Sequence, residues 1–182
     1  YKLEDSLNSG GMGKVFRATR LSDGLPVAIK MIQIDEHDDT ADPMTRFLRE
    51  AKILMTIQQP HIVKILDFQS QNDAPPFMVM EFIEGDDMRT WLAKYPEGVP
   101  LNIFYLLIKQ CCGALDYIHR MDIVHRDLKP DNLMICQGGP IPSIKILDFG
   151  LMLAQNPSSA TFAQRVTLKG TMVGTPAYMA PE

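Results

Sequence analysis

The run His125-Arg126-Asp127-Leu128-Lys129-Pro130-Asp131-Asn132 precedes Asp148-Phe149-Gly150. Together they hold a carboxylate, an ammonium, a carboxamide and a second carboxylate. Those are the parts needed to hold a metal-bound triphosphate beside a hydroxyl: a proton acceptor, a cation for a phosphoryl group in transfer, and oxygen ligands for magnesium. Prolines and glycines between them give loops in which they can converge.

Further elements lie on both sides. Upstream are Ser9-Gly10-Gly11-Met12-Gly13-Lys14-Val15, then Val27-Ala28-Ile29-Lys30, then a helical pattern carrying Glu50; downstream is Gly174-Thr175-Pro176-Ala177-Tyr178-Met179-Ala180-Pro181-Glu182. A glycine-rich run alone is weak evidence, but the set in this order is strong. Over nearly its whole length the chain resembles the eukaryotic-type protein kinases. Lys129 in the catalytic loop points to the serine/threonine branch, and Gly10-Gly11-Met12-Gly13 is similar to bacterial members.

The resemblance implies ATP and Mg2+ as cofactors and gives each position a role. Glycines 10, 11 and 13 let backbone N–H groups approach phosphate oxygens. The family pattern expects a further glycine where this chain has Asn8, a residue that tolerates unusual backbone angles. Lys30, 17 residues after Gly13, would contact the α- and β-phosphates, with Ala28 and Val15 lining the adenine pocket. Glu50 would pair with Lys30; opposite charges about 4 Å apart gain roughly 4 kcal/mol at an effective dielectric near 20, before desolvation. Asp127 is the expected catalytic base and Lys129 the stabiliser of the phosphoryl charge. Asn132, five residues on, and Asp148 would supply magnesium with oxygens. Met80 would stand behind the nucleotide, Glu81 to Ile83 would offer backbone groups to adenine, and Met134 would lie beneath the ring. Leu54, Ile65, His125 and Phe149 would form an apolar column between lobes.

Composition sets the frame. The chain has 182 residues, 46% apolar and 22% charged, with a net charge of -4, as expected of a soluble globular protein. Scattered cations on an acidic chain argue against a nucleic-acid partner. Three cysteines, Cys111, Cys112 and Cys136, do not make a paired framework and fit a reducing cytoplasm. The apolar stretch Leu101 to Met121 is broken by Lys109, Gln110, Asp116, His119 and Arg120, unlike a membrane span. That reading leaves room for an anchor outside these residues. His37, His61 and His119 show no metal-ligand spacing, and His61 resembles a family packing element.

The elements that must position this chemistry can be read from periodicity. The expected fold class is α+β, a bilobal kinase-like fold with a five-stranded antiparallel first lobe, one main helix and a partial helical second lobe. Strands alternate with turns from Tyr1 to Ile34, and Asp42-Pro43 opens a helix with apolar residues from Met44 to Met55. Ile62 to Phe68 and Phe77 to Ile83 read as strands joined by an Asp73-Ala74-Pro75-Pro76 loop. Helices are expected over Met88 to Tyr95 and Asn102 to Met121. Short strands at Leu133 to Cys136 and Ile144 to Leu147 flank the Gly138-Gly139-Pro140 turn. The first lobe is placed at 1–83 and the second at 84–182.

Glu182 lies 34 positions after Asp148, with several serines and threonines between. Thr171 is the expected regulatory phosphosite, because a phosphate adds about −1.5 to −2 charges and could pair with Arg126. Thr175 is expected to help position the substrate through Asp127 and Lys129. The family's larger lobe continues beyond the terminal glutamate of this motif, so the chain is expected to be a fragment with an unfinished second core, unstable and inactive in isolation. Partners would be proteins bearing serine or threonine, with self-association for autophosphorylation compatible with the pattern. The competing readings are a nucleotide-binding pseudokinase, which the intact Lys30, Asp127, Asn132 and Asp148 oppose, and a small-molecule phosphotransferase, which Lys129 and the 174–182 segment oppose.

Overall fold

The computed structural model describes residues 1–10, 13–31, 51–71, 74–125, 127–136, 139, 141–148 and 175–178. Contacts divide the chain into two units: Tyr1–Gln58 with Val63–Ile83, and Gln59–Ile62 with Glu84–Glu182. The short segment Gln59–Ile62 therefore belongs with residues far along the chain and not with its own neighbours.

The first unit is a five-stranded sheet in the order β1-β2-β3-β5-β4, every neighbour antiparallel. The strands are β1 (Lys2–Gly10), β2 (Gly13–Thr19), β3 (Pro26–Met31), β4 (Ile65–Gln71) and β5 (Ala74–Glu81). Between β2 and β3 the chain reverses at Gly24, whose φ of 72° suits glycine. The Asp23 carboxylate accepts from the Leu25 N–H there at 3.2 Å. β3 is covered on both faces, from Val27 through Lys30. One face packs Val27 and Ile29 with Ala18 and Val79, all buried. A helical turn, α1 (residues 51–55), buries Ala51 and Leu54. The expected start of that helix, from Asp42 to Glu50, lies outside the described residues.

Two strand expectations need correction. The strand expected from Ile62 begins at Ile65, and the Ala74-Pro75-Pro76 loop is the opening of β5. Prolines are tolerated in this central strand because the ladder is irregular beside them: Gln69 faces Phe77 and Gln71 faces Ala74. Pro75 and Pro76 thus sit at a bulge, where no ladder N–H is demanded.

In the second unit a three-stranded sheet runs β6-β7-β8, from β6 (Gly85–Asp87), β7 (Leu133–Cys136) and β8 (Ser143–Ile146). The strand at Gly85–Asp87, just ahead of the expected helix, is not among the sequence expectations. Gly85 explains the strand, since a Cβ there would run into the Ile135 carbonyl of β7. Asp87 then caps α2 (Met88–Leu92), accepting from the Thr90 N–H at 2.8 Å, and that bond holds its carboxyl below the usual range. α3 (Leu101–His119) turns Leu107, Cys111, Ala114 and Ile118 inward at helical spacing. Trp91, Leu107, Ile135 and Ile144 form the core, with Tyr95 and Ile103 against it. On α3, Leu101, Phe104, Tyr105 and Ile108 are exposed.

α3 ends in a Schellman-type turn, with Ile123 N–H on the Ile118 carbonyl and Asp122 N–H on that of His119, each at 3.0 Å. Asp122 adopts φ 57°, and buried Ile123 returns the chain to the core ahead of His125. Among the described residues no helix is long and apolar enough to cross a membrane.

Candidate active site

The residues of the catalytic-type loop converge within the second unit. Asp127 is buried and its carboxylate is held from three sides. Lys129 Nζ lies 2.7 Å from Oδ2, Thr175 Oγ1 donates to Oδ1 at 2.8 Å, and Asn132 Nδ2 donates to Oδ2 at 3.2 Å and to the Asp127 carbonyl at 2.7 Å. Lys129 also donates to Thr175 Oγ1 at 2.9 Å. Burial pushes the Asp127 carboxyl up, but bonds from Lys129, Thr175 and Asn132 outweigh it and leave the group below its usual value. It is therefore an ionised acceptor at neutral pH.

The backbone makes this arrangement reproducible. Lys129 is extended, Pro130 opens a 3-10 turn through Asn132, and Asn132 N–H closes it on the Lys129 carbonyl at 2.9 Å. Asn132 carbonyl then takes the Leu147 N–H at 2.8 Å, and His125 Nε2 donates to the Leu147 carbonyl at 2.7 Å. Burial, opposed by the Leu147 bond and the nearby Asp148 and Asp127, holds His125 below its ordinary pKa. The ring is a neutral brace. Leu147 is thus gripped at both backbone groups immediately before Asp148, which has a left-handed φ of 49°.

Magnesium takes few protein ligands and shares phosphate and water oxygens. Asn132 fits that role: its Nδ2 is committed to Asp127, so its amide oxygen is the end available to a cation. Asp148 adds a hard carboxylate one residue beyond the Asn132-linked Leu147. Two hard oxygen donors suit an ion that fills its remaining positions with phosphate and water oxygens.

In the first unit, the sheet register puts Lys30 opposite Val15 and Met78, and Ala28 opposite Arg17 and Met80. Period-two alternation therefore places Val15, Ala28, Lys30 and Met80 on one face of the sheet. Lys30 and Ala28 are buried. Asn8 pairs with Val15 and Gly10 with Gly13 across the β1–β2 hairpin. Glu81 gives its N–H to the Lys64 carbonyl at 3.0 Å and accepts from Lys64 N–H through Oε1 at 2.8 Å. Ile83 is half-buried after β5, while Met134 belongs to β7 of the second unit. Leu54 and Ile65 are buried in the first unit and His125 in the second. Gly11, Glu50, Arg126, Phe149 and Thr171 lie outside the described residues.

Sequence reasoning missed two contacts. Arg89 of α2 forks onto Asp131 beside the 3-10 turn, at 3.3 and 3.0 Å, and lowers its carboxyl. His61 bonds through Nδ1 to the Ile144 carbonyl at 3.0 Å. Neither has a local signature, because the partners are 42 and 83 residues apart.

A family profile described as protein kinase domain matches residues 1–182. The chain is 36% identical over 182 residues to serine/threonine-protein kinase pkn2 of Myxococcus xanthus, covering all of this chain and 21% of that protein. It is 33% identical over 189 residues to serine/threonine-protein kinase PknA of Corynebacterium glutamicum, covering all of this chain and 37% of that protein. A crystal structure of Rad53 in complex with AMP-PNP aligns with TM-score 0.69 and 32% identity, over 81% of this chain and 37% of the other. The chain thus spans well under half the length of these relatives. A profile match from its first residue to its last, over a fold with this sheet and loop, makes the chain a member of the protein kinase domain family.

Proposed function

We propose that the protein transfers the γ-phosphate of ATP to serine or threonine hydroxyls of protein substrates. The observation that carries this reading is the Thr175 hydroxyl, which donates to Asp127 Oδ1 at 2.8 Å while accepting from Lys129 at 2.9 Å. An alcohol bonded to a buried ionised carboxylate beside an ammonium is the arrangement an acceptor hydroxyl needs.

Asp127 orients that hydroxyl and takes its proton; Lys129 offsets charge on the phosphoryl oxygens. Asn132 and Asp148 would hold Mg2+, which when bound neutralises phosphate charge. Lys30 contributes an ammonium to the α- and β-phosphates, and Val15, Ala28 and Met80 offer the purine an apolar face. The names of the curated relatives support the serine/threonine class, and the AMP-PNP complex of the structural neighbour supports ATP. Thr171 is the proposed regulatory phosphosite, with Arg126 as its cationic partner.

Radiolabel transfer from ATP by the intact protein tests this. Wild type labels a mixed serine/threonine peptide pool, Asp148→Ala and Asp127→Asn do not, and Thr171→Ala loses activation. Equal labelling by Asp148→Ala would end the kinase reading; unchanged activation in Thr171→Ala would end only the phosphosite.

A further inference from the structure

Gln59–Ile62 is set into the second unit although the residues on either side belong to the first. It lies along the outer edge of β8. Ile62 forms a parallel bridge with Ile146, the His61 carbonyl accepts from Ile146 N–H at 2.8 Å, and His61 Nδ1 is 3.0 Å from the Ile144 carbonyl. A carbonyl only accepts, so Nδ1 carries the proton. Gln59 fixes the turn by accepting from the His61 N–H through Oε1. His61 thus binds β8 at two successive rungs, once with its backbone and once with its ring.

β8 leads through Leu147 to Asp148, a non-glycine residue at φ 49°. Such a conformation costs free energy and persists only where the surroundings over-determine it. One restraint comes from Asn132 and His125 acting on Leu147; another is the His61 grip on Ile144 and Ile146. We propose that His61 is a positioning residue for Asp148, clamping the free edge of β8 so that the carboxylate is held ready for the divalent cation. The inference rests on the reading of Asp148 as a metal ligand.

The test uses the intact protein and Mn2+ as a paramagnetic probe for the hard divalent site. Binding in the presence of ADP is followed by the free-ion electron paramagnetic resonance signal, alongside hydrogen exchange of the peptides covering residues 144–147 and Val79. His61→Ala is expected to weaken Mn2+ binding about tenfold, the lower end for partners that orient a ligand. It should also lower protection over 144–147 and leave that at Val79 unchanged. His61→Asn, whose amide reaches the Nδ1 position, should restore binding to within about twofold of wild type. Wild-type Mn2+ affinity in His61→Ala, with Asp148→Ala unable to bind, overturns the clamp alone. Undiminished binding in Asp148→Ala overturns the clamp and the metal-ligand reading together. If His61→Ala also loses protection at Val79, Gln59→Ala replaces it: weakened binding supports the clamp, and wild-type affinity overturns it.

Discussion

Asp127, the proposed catalytic base, depends on its neighbours, since burial alone would favour its protonated form. Thr175 and Lys129 counter that with a charge-assisted pair of contacts. Removing the hydroxyl by Thr175→Val should leave a buried oxygen short of a donor, costing about 1.5–3 kcal/mol, or roughly 10- to 160-fold in kcat. Thr175→Ser should stay near wild type, and steady-state kinetics on the intact protein decide between them. His125 gives a different signature. Its folded pKa is depressed, so the unfolded chain binds a proton that the folded chain refuses. The stability it contributes is complete above pH 6.5, its ordinary value, and declines as pH falls from there toward the folded pKa. The limiting slope is about 1.4 kcal/mol per pH unit. His125→Gln, which keeps a donor for Leu147, should flatten that slope in denaturant melts between pH 5 and 6.5; an unchanged slope would show that His125 is not the group responsible.

At the level of elements, a few residues decide whether a stretch becomes strand or helix. Gly85 is the clearest, because its missing Cβ lets β6 approach Ile135. Gly85→Ala should cost about 1–3 kcal/mol by overpacking against backbone that cannot yield, measured as a shift in the chemical-denaturation midpoint. A neutral substitution would mean that β6 moves freely. Nothing in Glu84-Gly85-Asp86-Asp87 has the alternation of a strand, and the adjoining helical pattern masked it. β7 and β8 were readable because Leu133 to Cys136 and Ile144 to Leu147 are β-rich runs on either side of a glycine turn. The prolines of β5 misled for a related reason. Pro75 and Pro76 signal a loop locally, and only the pairing with Gln69 and Gln71 shows that a bulge absorbs them. The loop from His125 to Asn132 was legible because its chemistry is written in consecutive residues. The Arg89–Asp131 fork and the His61 contacts were not, since the fold alone brings those partners together.

For the molecule as a whole, each unit has its own buried cluster, around Val79 in one and Leu107 in the other. Each unit also buries polar side chains. Lys30 is buried beside Val15 and Met78 on its sheet, and Asn132 is buried against Asp127. A ligand that binds only where such groups are folded stabilises the native state by mass action. At a hundredfold excess over its Kd the gain is about 2.7 kcal/mol, which for a domain of this size corresponds to about 5–10 °C in melting temperature. AMP-PNP with Mg2+ should produce that upward shift in the intact protein. Chelating the metal with EDTA should remove most of it, because the phosphates would then face Asp148 without a cation to neutralise the repulsion. Asp148→Ala should bind nucleotide with little dependence on Mg2+, so its shift should respond only weakly to EDTA. Equal EDTA sensitivity in wild type and Asp148→Ala would place the metal on other oxygens and remove Asp148 from the site.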